Sequence, residues 1–373
     1  MGTKLFILKN YHHHVVSLIH HWRMHSYELS LRSFHKVLNI LQNIYEWKTH
    51  KIITKSRPFI VRMNTSALCN LRCPPCINKE SFKVKPGQSR EPFLMSQKTF
   101  DKILSETSKH AQRMTFHITG EAMMNPKLFD MVKKAHERNI FTYFSTNYNL
   151  MTPELLSRIF DSGLSKVKIA FDGFTQMTYE KYKVGGDVEK LKQMIALTME
   201  EKRRRRSKHP IVEVQIITFH HVKPEIEQIK QFCQEQGVDR IMCIPDGCNF
   251  DGSHEMAIIG KPYRQCFWPW LQTAIDSNGN VFPCGQGFEG LIPLGNVNNE
   301  SFDSIWNGRL YRETRLFLSD KSPKRDDLQL QCYDCPDNFG KHGLQVLERG
   351  TPILSQNQEK LNTLTQPNEG GRY

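Results

Sequence analysis

The chain of 373 residues is 39% hydrophobic and 24% charged, which is globular usage in a length that suits two domains or one large α/β barrel with an appendage, and excludes disorder of the whole chain. No run approaches eighteen uninterrupted apolar residues, and the opening MGTKLFILKNYHHHVV holds too short an apolar stretch for a spanning helix or a secretory signal, so a cytoplasmic location is expected. The net charge of +13 is uneven: residues 1–60 carry nine Lys and Arg against two Glu, together with eight of the sixteen histidines, and so gain charge as the pH falls toward about six.

In chain order, residues 26–50 place Leu29, Leu31, Phe34, Val37, Leu38, Leu41, Ile44, Tyr45 and Trp47 mostly at three- and four-residue steps, which predicts an amphipathic helix. Arg57-Pro58 ends it. Residues 1–57 thus read as a basic helical extension, open to packing over the core, to an oligomer contact or to an anionic surface. From 58 to 245, β-branched runs at 59–65, 114–120, 140–146, 166–173, 212–218 and 240–245 alternate with helical patterns at 96–109, 126–139, 152–162, 175–205 and 223–236. Six strands separated by helices predict a parallel α/β architecture with right-handed crossovers.

Directly after the first run lies Cys69-Asn-Leu-Arg-Cys73-Pro-Pro-Cys76. Ten cysteines in a chain of this length, mostly in close groups, suit metal ligands in a reducing compartment better than a disulfide framework. Three thiolates are one short of a closed zinc or saturated iron–sulfur site, so either a coordination position stays open or a remote ligand completes a zinc knuckle. The second run ends in Thr119-Gly120-Glu121, the third in Ser145-Thr146-Asn147 and the fourth in Asp172-Gly173, with Lys183-Val-Gly185-Gly186 further on. Small polar groups and glycines at the carboxyl ends of parallel strands stand where ligands bind, although Thr119 and Glu121 also suit helix capping, Asn147 a turn and Lys183 a solvated helix. The run 202–206 reads as a solvated basic helix end, and no nucleic-acid motif is present.

After Pro245 the alternation stops. Residues 246–348 are richer in Gly, Pro, Cys and Trp, with a hairpin expected at 274–283 turning on Asn278-Gly279, and read as a separate small metal-stapled domain; 349–373 is a polar tail. Cys266, Cys284, Cys332 and Cys335 are four thiols from separated loops, enough for one closed zinc or cubane site. Cys233 reads as a core residue, Cys243 and Cys248 as packing residues or an additional ligand, and His117 and Asp246 as structural groups or proton acceptors.

The segment SALCNLRCPPC resembles the cluster loop of the radical S-adenosylmethionine enzymes. That resemblance implies a partial (β/α)6 TIM-like barrel. Cys69, Cys73 and Cys76 would hold a [4Fe–4S] cluster whose fourth iron chelates S-adenosylmethionine. Thr119, Gly120 and Glu121 stand where the family has its GGE motif, Thr119 replacing the first glycine; Ser145, Asn147, Asp172 and Lys183 would border the ribose and methionyl parts, with Lys183 where arginine is common. Pro75 stands where the family usually has a bulky residue near the adenine. Gly279 ahead of Cys284, LGNV at 294–297 and SIWNG at 304–308 resemble the SPASM and shorter twitch extensions, and Cys266, Cys284, Cys332 and Cys335 would hold one auxiliary [4Fe–4S] cluster. The resemblance implies reductive cleavage of S-adenosylmethionine, hydrogen abstraction by a 5′-deoxyadenosyl radical, an electron donor such as flavodoxin or ferredoxin, and a small-molecule or peptide substrate. Dehydrogenation of a sugar, aminocyclitol or other small molecule is the leading expectation; peptide modification, C–C bond formation and a zinc-stapled binding protein are the alternatives.

Overall fold

The computed structural model describes residues 33–76, 93–246, 266–285, 292–319, 321, 323–330 and 332–333, and the backbone of 345–348. Expectations for the first 32 residues, the polar tail, Cys248 and Cys335 lie outside the described residues.

Six parallel strands, β1 (Ile60–Met63), β2 (Arg113–Thr115), β3 (Phe141–Thr146), β4 (Lys166–Ala170), β5 (Ile211–Ile217) and β6 (Arg240–Ile244), lie side by side in chain order. Between them run α2 (Gln97–Thr107), α3 (Leu128–His136), α4 (Pro153–Asp161), α5 (Gln176–Tyr182), α6 (Val188–Arg204) and α7 (Ile226–Gln236). This is the partial (β/α)6 TIM-like barrel expected. One strand face packs on the helices and is apolar: Val61, Met63, Met114, Phe144, Val167, Ile169, Val212, Val214 and Ile216 are buried with Phe100, Val132, Ile159, Leu191 and Ile229. Local signals set the helix ends. Ser96, Thr152 and Asp187 each accept a backbone N–H three residues on, and Gly237 closes α7 in the left-handed region at φ +78°.

The helix expected over 175–205 is two helices. Gly185 at φ +84° breaks the turn after Tyr182, and Asp187 caps a new start by accepting Lys190 N–H. The hairpin forms where expected, as β7 (Gln272–Ile275) and β8 (Asn280–Phe282) around Gly279, with β9 (Gly295–Asn296) beside it. It does not stand apart, however. Strand β7 pairs in parallel with β1, so the sheet continues across the expected boundary, and β10 (Gln345–Glu348) pairs antiparallel with β6 at the other edge.

The helix expected over 26–50 appears as α1 (Phe34–Lys48), and its buried face joins Ile40 and Trp47 to polar residues while part of the expected apolar set stays exposed. Phe34, Leu38, Leu41 and Tyr45 are 77%, 46%, 58% and 55% exposed, whereas Lys36, Asn39, Asn43 and Glu46 are buried. Lys36 Nζ donates to the Arg138 and Asn139 carbonyls at 3.2 Å, Asn39 and Asn43 donate to Arg57 O at 2.8 and 3.1 Å, and Glu46 accepts the Lys55 amide at 2.7 Å. These donors satisfy backbone groups of the 50–57 loop and of the turn after α3, which outweighs apolar pattern as the determinant of orientation.

His35 of α1 packs at a tilt against His110, with ring centroids 5.0 Å apart and 47° between the planes. Burial, with the His35 and Arg57 charges, holds His110 down to about 4. The unfolded chain takes up this proton near pH 6.5 and the folded chain only near 4, so stability is lost as pH falls through that window. After allowance for solvent screening the loss is about 1–2 kcal/mol. Urea melts across the window should record it, and His110→Gln should flatten the slope; an unchanged slope refutes the assignment.

Candidate functional site

The carboxyl ends of β1 to β4 carry the first thiol set and the loops around it. Gly120 follows β2 at φ +67°, where a Cβ would stand 2.4 Å from Ser66 O and 2.7 Å from Leu68 O. The 119–121 loop thus lies directly on the backbone leading to Cys69, and Glu121 N–H donates to Leu68 O at 2.7 Å. Thr119 is engaged with Asn64: its amide donates to Asn64 Oδ1 at 3.1 Å and its hydroxyl accepts Asn64 Nδ2 at 2.9 Å. The Glu121 carboxylate accepts the Asn147 amide at 2.8 Å and the Met123 amide at 3.2 Å. Burial pushes Glu121 up and these donors, with Thr146, oppose it. Asn147 Nδ2 then donates to Asn70 Oδ1 at 2.9 Å and reaches Cys69 Sγ at 3.9 Å. The β2 and β3 loops are therefore tied to one another and to the cysteine loop.

A second group adjoins Cys73. Lys183 Nζ pairs with Asp172 Oδ2 at 3.1 Å, and Asp172 Oδ1 accepts the Ile217 amide at 2.7 Å. Burial alone would lower Lys183, yet Asp172, Tyr182 and Cys73 hold it well above its ordinary range. Arg72 N–H donates to Val184 O at 3.0 Å, fixing this cation beside the loop. Burial pushes Cys69 up to about 11 and raises Cys73, with Lys183 opposing at Cys73. Among the described residues no three His, Cys, Asp or Glu side chains close to the spacing of ligands around a single ion. Cubane ligands, each on its own iron, stand farther apart, and three neighbouring thiols, with burial resisting ionisation of Cys69 and Cys73, are a donor set that iron fits, because bound metal supplies the missing positive charge.

The other thiols gather at the opposite end of the sheet. Phe282 lies opposite Ala274, so Cys284, two residues on, falls level with the amino-terminal start of β7, which is paired with Ile60 at the start of β1. Cys332 is buried with Trp47, Trp270, Leu271, Phe317 and Leu318, and Cys266 packs on the same group. Tyr311 senses both Cys284 and Cys332 and donates to Thr273 Oγ1 at 3.0 Å. Among the described residues three of the four expected ligands therefore share one neighbourhood; Cys233 is a core residue of α7.

Between the two thiol sets lies the inner face of the barrel, whose charged residues the motif reading missed. Arg62, Thr115, Tyr143 and Lys166 form one register row, and Ser145, Lys168, Glu213 and Arg240 the next. The available signal was the alternation Lys166-Val-Lys168-Ile, a charge at every second position of a strand flanked by helices. His117 joins this face. Its Nδ1 accepts the Ser145 amide at 2.9 Å, and burial with Arg62, Lys168, Lys166 and Arg113 holds it well below its ordinary value. Burial thus favours the uncharged ring, and its Nδ1 is committed to the Ser145 amide, which fits the structural alternative of the two that its position allowed.

The parallel barrel thus carries three thiols on the first strand's loop, with Cys284 just after the hairpin that extends its sheet and Cys266 and Cys332 packed nearby. Residues 63–233 match the model of the Radical SAM superfamily and residues 266–336 that of SPASM, an iron–sulfur cluster-binding domain, and the chain belongs to this family of enzymes. Membership implies a [4Fe–4S] cluster with S-adenosylmethionine, and iron–sulfur binding in the SPASM part. The tungsten-containing aldehyde ferredoxin oxidoreductase cofactor-modifying protein of Pyrococcus furiosus is 22% identical over 73% of this chain and 86% of its own length. PqqA peptide cyclase of Bradyrhizobium diazoefficiens is 28% identical over 31% of this chain and 29% of the cyclase. Streptococcus suis SuiB bound to S-adenosylmethionine shares the fold with a TM-score of 0.55 and 15% identity, covering 74% of this chain and 72% of SuiB. No helix among the described residues is long and apolar enough to cross a membrane.

Proposed function

We propose that this chain oxidises a small-molecule substrate held in the barrel interior, between a radical-generating cluster at one end and an auxiliary cluster at the other. Cys69, Cys73 and Cys76 would hold the first, and Cys266, Cys284, Cys332 and Cys335 the second. When bound, the cluster and S-adenosylmethionine, reduced by a donor such as flavodoxin or ferredoxin, supply a 5′-deoxyadenosyl radical that removes a substrate hydrogen.

The chain's own part is placement and exclusion of water. The backbone at Thr119 and Gly120, with Ser145 and Asn147, would border the methionyl and ribose parts. Glu121 locks these loops together through the Asn147 and Met123 amides. The Asp172–Lys183 pair would keep a positive charge beside Cys73 and near the cofactor carboxylate. The observation that carries the oxidative reading is Arg62: its side chain leaves the inner face of β1 and meets Gly285, where a Cβ would stand 2.7 Å from Arg62 Cζ. The auxiliary thiol Cys284 thus borders the same interior, the position an electron acceptor for a substrate radical requires. The relative named as modifying a cofactor favours a small molecule. Peptide modification is the second reading, favoured by the similarity to PqqA peptide cyclase and by the SuiB structure with precursor peptide SuiA.

Protein prepared without oxygen should contain iron and sulfide, and the reduced form should release 5′-deoxyadenosine from S-adenosylmethionine. Cys332→Ala should keep that cleavage while losing substrate oxidation. Zinc in place of iron, or a Cys332→Ala protein that still oxidises substrate, would sink the reading.

A further inference from the structure

Gly285, directly after Cys284, leaves its side-chain space to Arg62. A Cβ on Gly285 would stand 2.7 Å from both Cζ and Nη1 of Arg62 and 3.0 Å from its Nε, so the guanidinium lies against the backbone that follows the thiol. The backbone of Gly285 is not in the left-handed region, and its need for glycine is this space alone. The two residues are far apart in sequence and meet through strand pairing: Arg62 stands opposite Ala274, and Ala274 opposite Phe282, just ahead of Cys284. Burial works against the Arg62 charge, whereas Tyr143 and Cys284 favour it. Arg62 is thus packed on the thiol's neighbour and coupled electrostatically to the thiol itself.

The surroundings of Cys284 suit iron. Cys284 and Cys332 are buried and both act on Tyr311, and Cys266 packs on the group around Cys332, which brings soft donors together out of water. A second arginine lies in this neighbourhood. Arg315 donates to Pro269 O and Ile52 O, each at 3.1 Å, and its charge answers to Tyr311, Glu46 and Arg57. Its role is to tie the 50–57 loop to the segment after Cys266, whereas Arg62 is the arginine whose charge meets an expected ligand thiol.

We propose that Arg62 sets the redox poise of the auxiliary site: its guanidinium, seated in the space that Gly285 leaves, holds a fixed positive charge beside the auxiliary cluster and raises that cluster's reduction potential. The inference rests on the proposed function, in which Cys284 is a ligand and the auxiliary cluster accepts an electron. Reduction adds a negative charge at a buried place, so a nearby cation stabilises the reduced form more than the oxidised one. Arginine suits the position because it keeps its charge where burial would neutralise a lysine. The side chain starts on the inner face of β1 and ends on the loop of the acceptor's ligand, which places the charge at the border of chamber and cluster.

Potentiometric titration followed by electron paramagnetic resonance tests this on the anaerobic, cluster-loaded protein. Titrations with and without S-adenosylmethionine separate the two clusters, because the first is the one that binds it. Arg62→Gln should raise the oxidised-to-reduced ratio of the auxiliary cluster at a fixed potential by about tenfold, a fall of about 59 mV for one electron, and leave the first cluster where it was. Gly285→Ala keeps the arginine but displaces the end of its flexible side chain, so it should shift the auxiliary potential in the same direction, and it gives the reading should Arg62→Gln not fold. An unchanged auxiliary potential in either iron-loaded variant, an equal shift at both clusters, or loss of auxiliary iron from both variants overturns the proposal. A wild-type protein with no second cluster removes the proposed function as well, whereas a second cluster whose potential ignores both substitutions removes this inference alone.

Discussion

Replacing Gly120 by alanine should destabilise the protein by about 3 kcal/mol or more and strip it of iron. At φ +67° the new Cβ would press on the Ser66 and Leu68 carbonyl oxygens at 2.4 and 2.7 Å. Both are backbone atoms of the segment leading into Cys69, so relief can come only by moving the cysteine loop away from the β2 loop. That movement would also break the Glu121 amide bond to Leu68 O and, through Glu121, the tie to Asn147. Gly185→Ala is the control. Its φ is +84°, but nothing stands within 4 Å of the added carbon, so it should cost only the backbone strain, about 1 kcal/mol. Thermal melts and iron content of the two variants decide the matter; a Gly120→Ala protein that melts with the wild type and keeps its iron would refute the close apposition of the two loops.

Cys73→Ala should lower 5′-deoxyadenosine formation by at least about a thousandfold, because two thiols cannot hold three irons of a cubane in place. It should also leave the fold largely intact. Cys73 is only half-buried among loops, and the Asp172–Lys183 pair beside it keeps its own geometry. Cys233→Ala separates loss of a ligand from loss of a sulfur: burial holds that thiol up to about 12 on α7, remote from both thiol sets in the chain's topology, and its removal should spare iron and cleavage. Iron counting, the electron paramagnetic resonance of the reduced protein and product analysis distinguish the outcomes. Undiminished product from Cys73→Ala would displace the first thiol set from its proposed role.

Much of this molecule is readable in order along the chain. Alternating β-branched and helical segments specify a parallel α/β sheet because each pattern needs only neighbours within a few residues to select its element. The CxxxCxxC spacing, the four later cysteines and the Asn278-Gly279 turn carry their chemistry in the same local way. The split at Lys183–Asp187 was written in Gly185-Gly186-Asp187, and went unread because the apolar pattern continues on both sides.

Side-chain commitments were less legible. Thr119, Glu121 and Lys183 stand where motif order puts them, yet their polar atoms are spent on Asn64, on the Asn147 amide and on Asp172, all distant in sequence, and on the nearby Met123 amide. Helix α1 left Phe34, Leu38, Leu41 and Tyr45 exposed while burying Trp47 beside polar side chains that meet backbone groups of the 50–57 loop and the turn after α3, and no periodicity records what a distant loop lacks.

The sequence by itself determined most element types, their order and the grouping of the cysteines, since propensity, capping and residue spacing act over short range. Tertiary structure alone decided that β7 would join β1, sending Cys284 to the end of the sheet opposite Cys69, and that alternate charges on β1, β2, β4, β5 and β6 would face one enclosed interior. Strand pairing and register are contacts between segments tens to hundreds of residues apart, so which charges meet is settled only when the sheet assembles.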